Sequence, residues 1–267
     1  MRYMLLAPLT LFLLAAYLVP LAGILWLSVT DPEPGLGNYT KALGDPMVWG
    51  VLWQTARVCL ASSVISVLCA YPITLLWVRG SRGTRLLVEL CIMIPFWLSV
   101  LARSFGWLSL LSNRGLANTI LQNIGLISEP LTMTRNEFGV IMGMVQFLIP
   151  FAVFPLASTM REVDDRALMA ARGMGASRLR VFWQVFVPMT RSGITGATLL
   201  VFVFSLGFYI IPALLGGGRT VMIAELIYLR IFQIPDWGLA AALSTMIMIG
   251  VGGFLVVLIR RSGVTRT

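Results

Sequence analysis

Long uncharged runs alternate along this chain with short clusters of arginine. Residues 3–30 contain no charged side chain, which is more than the about 20 helical residues that cross a bilayer's hydrocarbon. The run is too long for the apolar core of a secretory leader, and no small-x-small cleavage pattern follows it. Residues 5–29 are therefore predicted as an uncleaved first helix. Further apolar runs predict helices over 57–78, 86–110, 138–160, 192–215 and 237–259. Arg57 opens the second of these, and the third carries Glu89 near one end and Arg103 inside. The expectation is an all-α polytopic membrane protein of six transmembrane helices, with residues 1–267 forming one domain.

Two connectors have a helical period of their own. Leu116, Ile120, Leu121, Ile124 and Ile127 recur at helix spacing within 115–127, and Met222, Ile223, Leu226, Ile227 and Leu229 do so within 220–232. Each predicts a short helix at the membrane surface that either plugs the end of the bundle or docks an external partner. Gly216, Gly217 and Gly218 are expected to end the fifth long helix, because glycine takes a left-handed cap without strain. Gly139 and Gly143, and the group Gly250, Gly252 and Gly253, suggest close helix packing, with packing inside one bundle preferred over a dimer interface.

Composition supports the membrane reading and narrows it. Hydrophobic residues make up 58% of the chain and charged residues 12%, against about 25% charged in soluble domains; mean hydropathy is +0.89. The net charge of +9 is a topological signal. With the N-terminus inside, the inner segments hold Arg2, Arg79, Arg82, Arg85, Arg161, Arg166, Arg172, Arg178, Arg180, Arg191, Arg260, Arg261 and Arg266. The outer ones hold only Lys41, Arg114, Arg135, Arg219 and Arg230. From that bias both termini are expected in the cytoplasm, with the chain in the plasma membrane, and nucleic acid is not expected as a partner. Absence of histidine excludes His-based metal sites and Ser-His catalysis, and no metal site is expected. Ser62, Ser63 and Ser66 have no base within the spans, so a non-catalytic role is expected. Cys59, Cys69 and Cys91 lie in apolar runs and read as small core residues.

The most informative segment is the inner loop, residues 161–191. Asp164 or Asp165 is placed to cap a helix over Ala167, Leu168, Met169, Ala170 and Ala171. Gly173 and Gly175 break it, Ala176 and Ser177 begin a second helix over 177–187, and Pro188 closes that one before the fifth span. A short alanine-faced helix with a glycine elbow fits a groove on another protein.

Met169-Ala170-Ala171, Gly175, Val185, Val187 and Pro188 resemble the EAA loop of binding-protein-dependent ABC importer permeases. That pattern runs Glu-Ala-Ala, three residues, Gly, nine residues, Ile, one residue, Leu-Pro, and the spacing here matches it throughout. Met169 stands where the family usually has glutamate. Pro95-Phe96-Trp97, Arg103, Trp107, Gly115, Asn118, Leu121, Gly125 and Leu126 are similar to the polyamine-type subgroup. So are residues 212–217 and Met222-Ile223-Ala224, Ile227, Asp236-Trp237 and residues 241–244. The resemblance covers about residues 50–260 and implies a type I ABC importer permease fold. It implies as partners a second permease subunit (as a heterodimer), two ATPase subunits and an extracytoplasmic binding protein. ATP and magnesium would sit on the ATPases, and this chain, which lacks a phosphate-binding GxxxxGK[ST] loop, would bind no cofactor. Asp165, Met169, Ala170, Ala171, Gly173, Gly175, Ala176, Val185 and Pro188 are then the expected ATPase-coupling loop.

For the translocation path the candidates are Trp97, Arg103, Phe204, Phe208 and Tyr209. A cation inside a span costs roughly 2.5–3.5 kcal/mol on insertion scales, so Arg103 is expected to face the path or a partner, whereas Arg57 is expected to snorkel. No acid lies centrally in any span. Polyamine, opine and amino-acid-like amine all remain open as cargo. The competing readings are an ion-coupled secondary transporter, which usually needs an embedded acid or histidine, and a structural membrane subunit.

Overall fold

A computed structural model describes residues 2–262. Residues 263–267, with Arg266, and the side chains of Arg2 and Arg261 lie outside the described residues, so those three arginines of the orientation argument are not placed. The described secondary structure is helical, with no strand among the described residues. It divides into two compact units, one from residues up to Leu52 together with those from Ile223, the other from Trp53 to Met222.

The first unit holds α1 (Arg2–Thr30), α2 (Gly37–Gly44), the start of α3 (Pro46–Arg79), α13 (Ile223–Phe232) and α14 (Trp237–Ser262). α1 packs along α14, and Gly238 allows the approach: a β-carbon there would lie 2.0 Å from the Asp31 carbonyl oxygen. The Gly238 amide donates to Asp31 Oδ2 at 2.9 Å. α2 is absent from the hydrophobic pattern because polar contacts hold it. Its buried Asn38 donates to the carbonyls of Ser28 (3.1 Å) and Asp31 (2.6 Å), and Tyr39 Oη shares a hydrogen bond with Ser28 Oγ at 2.7 Å. Asp236 caps α14, accepting from the Leu239 amide at 3.2 Å and from Lys41 Nζ at 2.6 Å. Burial pushes the Asp236 carboxyl up, but Lys41, the Leu239 amide and Arg230 together hold it below the usual carboxylate range. Phe12, Tyr17 and Trp26 of α1 are exposed, as a lipid-facing helix requires. Among the described residues nothing lies within 4 Å of a β-carbon placed on Gly250, Gly252 or Gly253, so the close packing expected there is not seen among them.

The second unit is built round α7 (Glu137–Glu162), whose buried residues run from Gly139 to Met160. Around it lie α3 from Trp53 on, α4 (Arg82–Trp97), α5 (Val100–Leu111), α6 (Leu116–Asn123), α11 (Arg191–Leu206) and α12 (Ile210–Leu215). α11 packs along α7 most extensively, with Gly193 against Thr159; a β-carbon on Gly193 would fall 2.0 Å from Thr159 Oγ1. Gly143 takes Ile211 and Leu215 of α12 onto α7, at 3.0 and 3.3 Å from its would-be β-carbon. The GxxxG pair thus packs within the chain, as the pattern suggested. Arg57 does not simply snorkel but pairs with Glu137. Cys59 is buried, whereas Cys69 and Cys91 are exposed and are not core residues.

Four helices are long and apolar enough to cross a membrane by themselves: Thr10–Thr30, Pro46–Arg79, Glu137–Glu162 and Trp237–Val257. The expected third and fifth helices are broken. Residues 86–110 fall on α4 and α5, and at Leu98 and Ser99 the chain bends by 103° between residues 82–97 and 100–123. Pro95 has no amide proton for the helical ladder, and α4 ends two residues after it. Residues 192–215 fall on α11 and α12, interrupted at residues 207–209. The short surface helices are present as α6 and α13. The apolar residues of α6 point outward, with Leu116, Ile120 and Ile124 exposed, and the polar Asn118 is fully buried. Its Nδ2 donates to the carbonyls of Ser112 (3.1 Å) and Leu131 (3.0 Å), and its Oδ1 accepts from the Leu131 amide at 2.8 Å.

Two outcomes follow for stability in detergent. Asn118→Ala leaves buried backbone groups without partners and should cost about 2–3 kcal/mol, read as a lowered unfolding temperature. Asp236→Asn keeps a capping oxygen but removes the charge, and should cost about 0.5 kcal/mol at neutral pH, the worth of a carboxylate at a helix N-terminus. Because the native carboxyl titrates below its unfolded value, this contribution is present above about pH 4 and fades as pH falls through the folded value. The two proteins should therefore converge in stability in strong acid, and a difference independent of pH would contradict the assignment.

Candidate functional site

The loop between α7 and α11 folds as helix, glycine turn, helix. α8 (Asp165–Gly173) begins at Asp164, whose carboxylate accepts from the Arg166 amide at 2.9 Å. It ends in a six-to-one closure: the Ala176 amide reaches the Ala171 carbonyl at 3.2 Å and the Gly175 amide that of Arg172 at 2.9 Å. Gly175 sits between them at φ +87° with open space around it. Glycine is therefore required for backbone conformation and not for room. Ser177 caps α9 (Arg178–Val181), its Oγ accepting from the Arg180 amide at 3.3 Å.

The second helix is longer than expected and changes its winding. α9 passes into a π segment (Phe182–Phe186) and then α10 (Val187–Met189), and the chain bends by 61° before α11. Pro188 does not end the helix; it lies inside α10, and the joint is at Thr190. Without an amide proton, Pro188 cannot bond to the carbonyl of residue 184, and a π turn places that mismatch one turn earlier. Thr190 is fully buried. Its amide donates to the Phe186 and Val187 carbonyls, each at 3.1 Å, and its Oγ1 shares a 2.8 Å hydrogen bond with Tyr71 Oη.

The expected coupling residues divide by face. Met169, Ala170, Gly173 and Gly175 are exposed, as are Asp165 and Pro188; Ala171 is buried, and Ala176 and Val185 are half-buried. Asp165 pairs with Arg79 at the end of α3. Met174, 83% exposed, Leu179 and Trp183 are, like Met169, exposed apolar side chains of this loop. The Leu179–Trp183 separation of four residues in a loop otherwise rich in arginine signals them in the sequence. Beside α8 and α9 lies an open groove of about 510 Å³ lined by Leu168, Met169, Arg172, Arg178 and Phe182, among others.

Of the path candidates, three converge. Phe204 packs on Phe151 with ring centroids 4.8 Å apart, Phe208 on Phe147 at 4.9 Å, and Phe147 stacks on Phe151 at 5.7 Å. The Arg103 guanidinium carbon lies 4.4 Å from the centre of the Phe147 ring, and Arg103 Nε is buried without a hydrogen-bond partner. This cation is turned onto an aromatic face inside the unit and does not reach outward along its helix. Tyr209 lies half-buried in the turn between α11 and α12, and Trp97 is 84% exposed, apart from the phenylalanine cluster. Phe147 and Phe151, four apart on α7, complete the cluster and carry the i, i+4 signal by which the sequence would reveal them.

A family profile described as the inner membrane component of binding-protein-dependent transport systems matches residues 62–264. The chain belongs to this family. It is 33% identical over 227 residues to the spermidine/putrescine transport system permease protein PotB of Escherichia coli K12, covering 85% of this chain and 82% of that protein. It is 28% identical to the trehalose transport system permease protein SugA of Mycobacterium tuberculosis, covering 92% and 83%. A bacterial alginate ABC transporter, solved in complex with its alginate pentasaccharide-bound periplasmic protein, has the same fold. The TM-score is 0.76 at 17% identity, covering 99% of this chain and 94% of that one. The protein is thus an importer permease subunit of the binding-protein-dependent ABC type and a multi-pass membrane protein, in a family that is not catalytic.

For the elbow, Gly175→Val forces a β-branched residue into the left-handed region, at a cost of about 1–2 kcal/mol. It should leave the protein in the membrane and abolish most co-purification of an ATPase. Gly175→Asn, which tolerates that conformation, should retain more. Full retention by Gly175→Val would overturn the docking role of the loop.

Proposed function

We propose that the chain is one of two permease subunits of an ABC importer, six spans with both termini in the cytoplasm, and that it forms half of the path for a small amine-bearing solute. In this reading the broken pairs α4–α5 and α11–α12 each count as one crossing. An extracytoplasmic binding protein delivers the cargo, and two ATPases, which hold ATP and magnesium, close beneath the membrane.

The observation that carries the reading is the Gly175 elbow with its EAA spacing, presenting Met169, Ala170, Met174, Leu179 and Trp183 on an exposed face. Large exposed apolar side chains among arginines mark a protein contact. ATPase closure would draw α8 inward, and the helix running through Pro188 to Thr190 would tilt α11 by a rigid-body movement.

The polyamine-type relative favours a polyamine, an opine or an amino-acid-like amine as cargo. Phenylalanine faces suit an organic cation, while Arg103 suits a carboxylate on the same solute. The test is uptake into vesicles holding the full complex, with labelled putrescine and a labelled amino-acid derivative in parallel. ATP-dependent accumulation of either, lost when the binding protein is omitted, is expected. Accumulation without ATP would overturn the reading.

A further inference from the structure

We propose that Arg79 is a positioning residue that ties the cytoplasmic end of α3 to the coupling loop, so that α3 as well as α11 moves when the ATPases close. The inference rests on the coupling role of residues 161–191 given above.

Arg79 is the last residue of α3, and its guanidinium touches three separate pieces of chain. One terminal nitrogen donates to Asp165 Oδ1 in the first turn of α8. Nη2 donates to the carbonyl of Val163, the C-cap of α7, at 3.2 Å. The guanidinium carbon lies 5.8 Å from the centre of the Phe186 ring at the end of the π segment. A planar fork meets a carboxylate, a carbonyl and a ring at once, which a lysine ammonium cannot do in a fixed orientation. The Asp165 side chain is 65% exposed, and an exposed ion pair contributes little to the stability of a fold. The pair's importance is therefore its position, between the helix that docks and the helix that spans.

A second contact on the same helix reaches the other end of the loop. Tyr71, eight residues before Arg79, stacks edge-on against Phe182 at 6.1 Å and hydrogen-bonds through its hydroxyl to Thr190, where the 61° bend lies. α3 thus holds the start of α8 through Arg79 and the joint before α11 through Tyr71. A displacement of the docking helix relative to α7 has to stretch or carry the Arg79 contacts. Since π turns are frequent at functional sites, the segment between the two grips is the part that yields.

The test uses the full chain in membranes with its second permease, ATPases and binding protein. Arg79→Met keeps the stem and removes the fork. The expected result is ATPase co-purification at the level of the unaltered complex, with binding-protein-stimulated ATP hydrolysis and solute accumulated per ATP both reduced roughly tenfold. Arg79→Lys should recover part of the loss. The reversed pair, Arg79→Asp with Asp165→Arg, should recover more than Arg79→Asp alone, an outcome that a simple loss of folding would not produce. Unchanged stimulation and stoichiometry in Arg79→Met would overturn the proposal, as would loss of ATPase association in that variant. Retained ATPase association in Gly175→Val would instead overturn the docking role of the loop, so the two failures are told apart.

Discussion

In hydrocarbon the apolar surfaces of two helices have no water to escape, so helices stay together only where their backbones come close enough for dispersion to accumulate. In the second unit that condition is met on α7. Gly143 admits Ile211 and Leu215, and Gly193 brings α11 onto Thr159. The aromatic cluster and the Arg79 contact are both anchored on this helix. Phe147 and Phe151 stand on its middle turns, in contact with Arg103, Phe204 and Phe208. The carbonyl of its C-cap, Val163, receives Arg79. A β-carbon at Gly193 would fall on Thr159 and disturb the packing of α11 on α7.

The helix breaks have a common origin. Proline withdraws a donor from the ladder, and each interruption is placed where side chains or neighbouring amides supply replacements. After Pro95 the Leu98 amide turns back to the Pro95 carbonyl at 3.2 Å. Around Pro188 the ladder widens to a π turn, and Thr190 closes it with both its amide and its hydroxyl. The outcome is two bent segments beside the straight α7. One presents Arg103 to the phenylalanines, and the other connects α8 to α11.

The conformation of residues 161–191 was largely readable because its determinants are local. A capping aspartate, alanines and a glycine four residues beyond specify a helix, a left-handed turn and the start of a second helix within one stretch of chain, although Pro188, thirteen residues further on, does not end that second helix. The aromatic site was only partly readable. Phe204 and Phe208 lie in one segment, but their partners Phe147 and Phe151 come from another, and which phenylalanines meet is a matter of helix rotation. Trp97 illustrates the limit: two residues from Pro95, it is swung out by the break and left 84% exposed. Arg57 was expected to reach water and instead meets Glu137, eighty positions away. Asn118 shows the same limit inverted, since the apolar stripe of α6 faces outward and the asparagine is the buried residue.

Composition and period alone determined that this is a helical membrane protein, because a chain with so few charges can satisfy its backbone in lipid only by helices or a closed barrel, and the runs are long enough for helices. Local residue choice also determined the helix–turn–helix shape of residues 161–191, and the resemblance those residues carry pointed to the family. Tertiary structure decided the rest. It set where the third and fifth helices bend, since a proline weakens a helix but neighbours choose whether and how far it turns. It placed the Arg103 cation on Phe147, and it joined Arg79 to Asp165, Val163 and Phe186. Hydrophobicity has no direction, so a sequence records that a face must be covered. Only the packed chain specifies which side chains cover it.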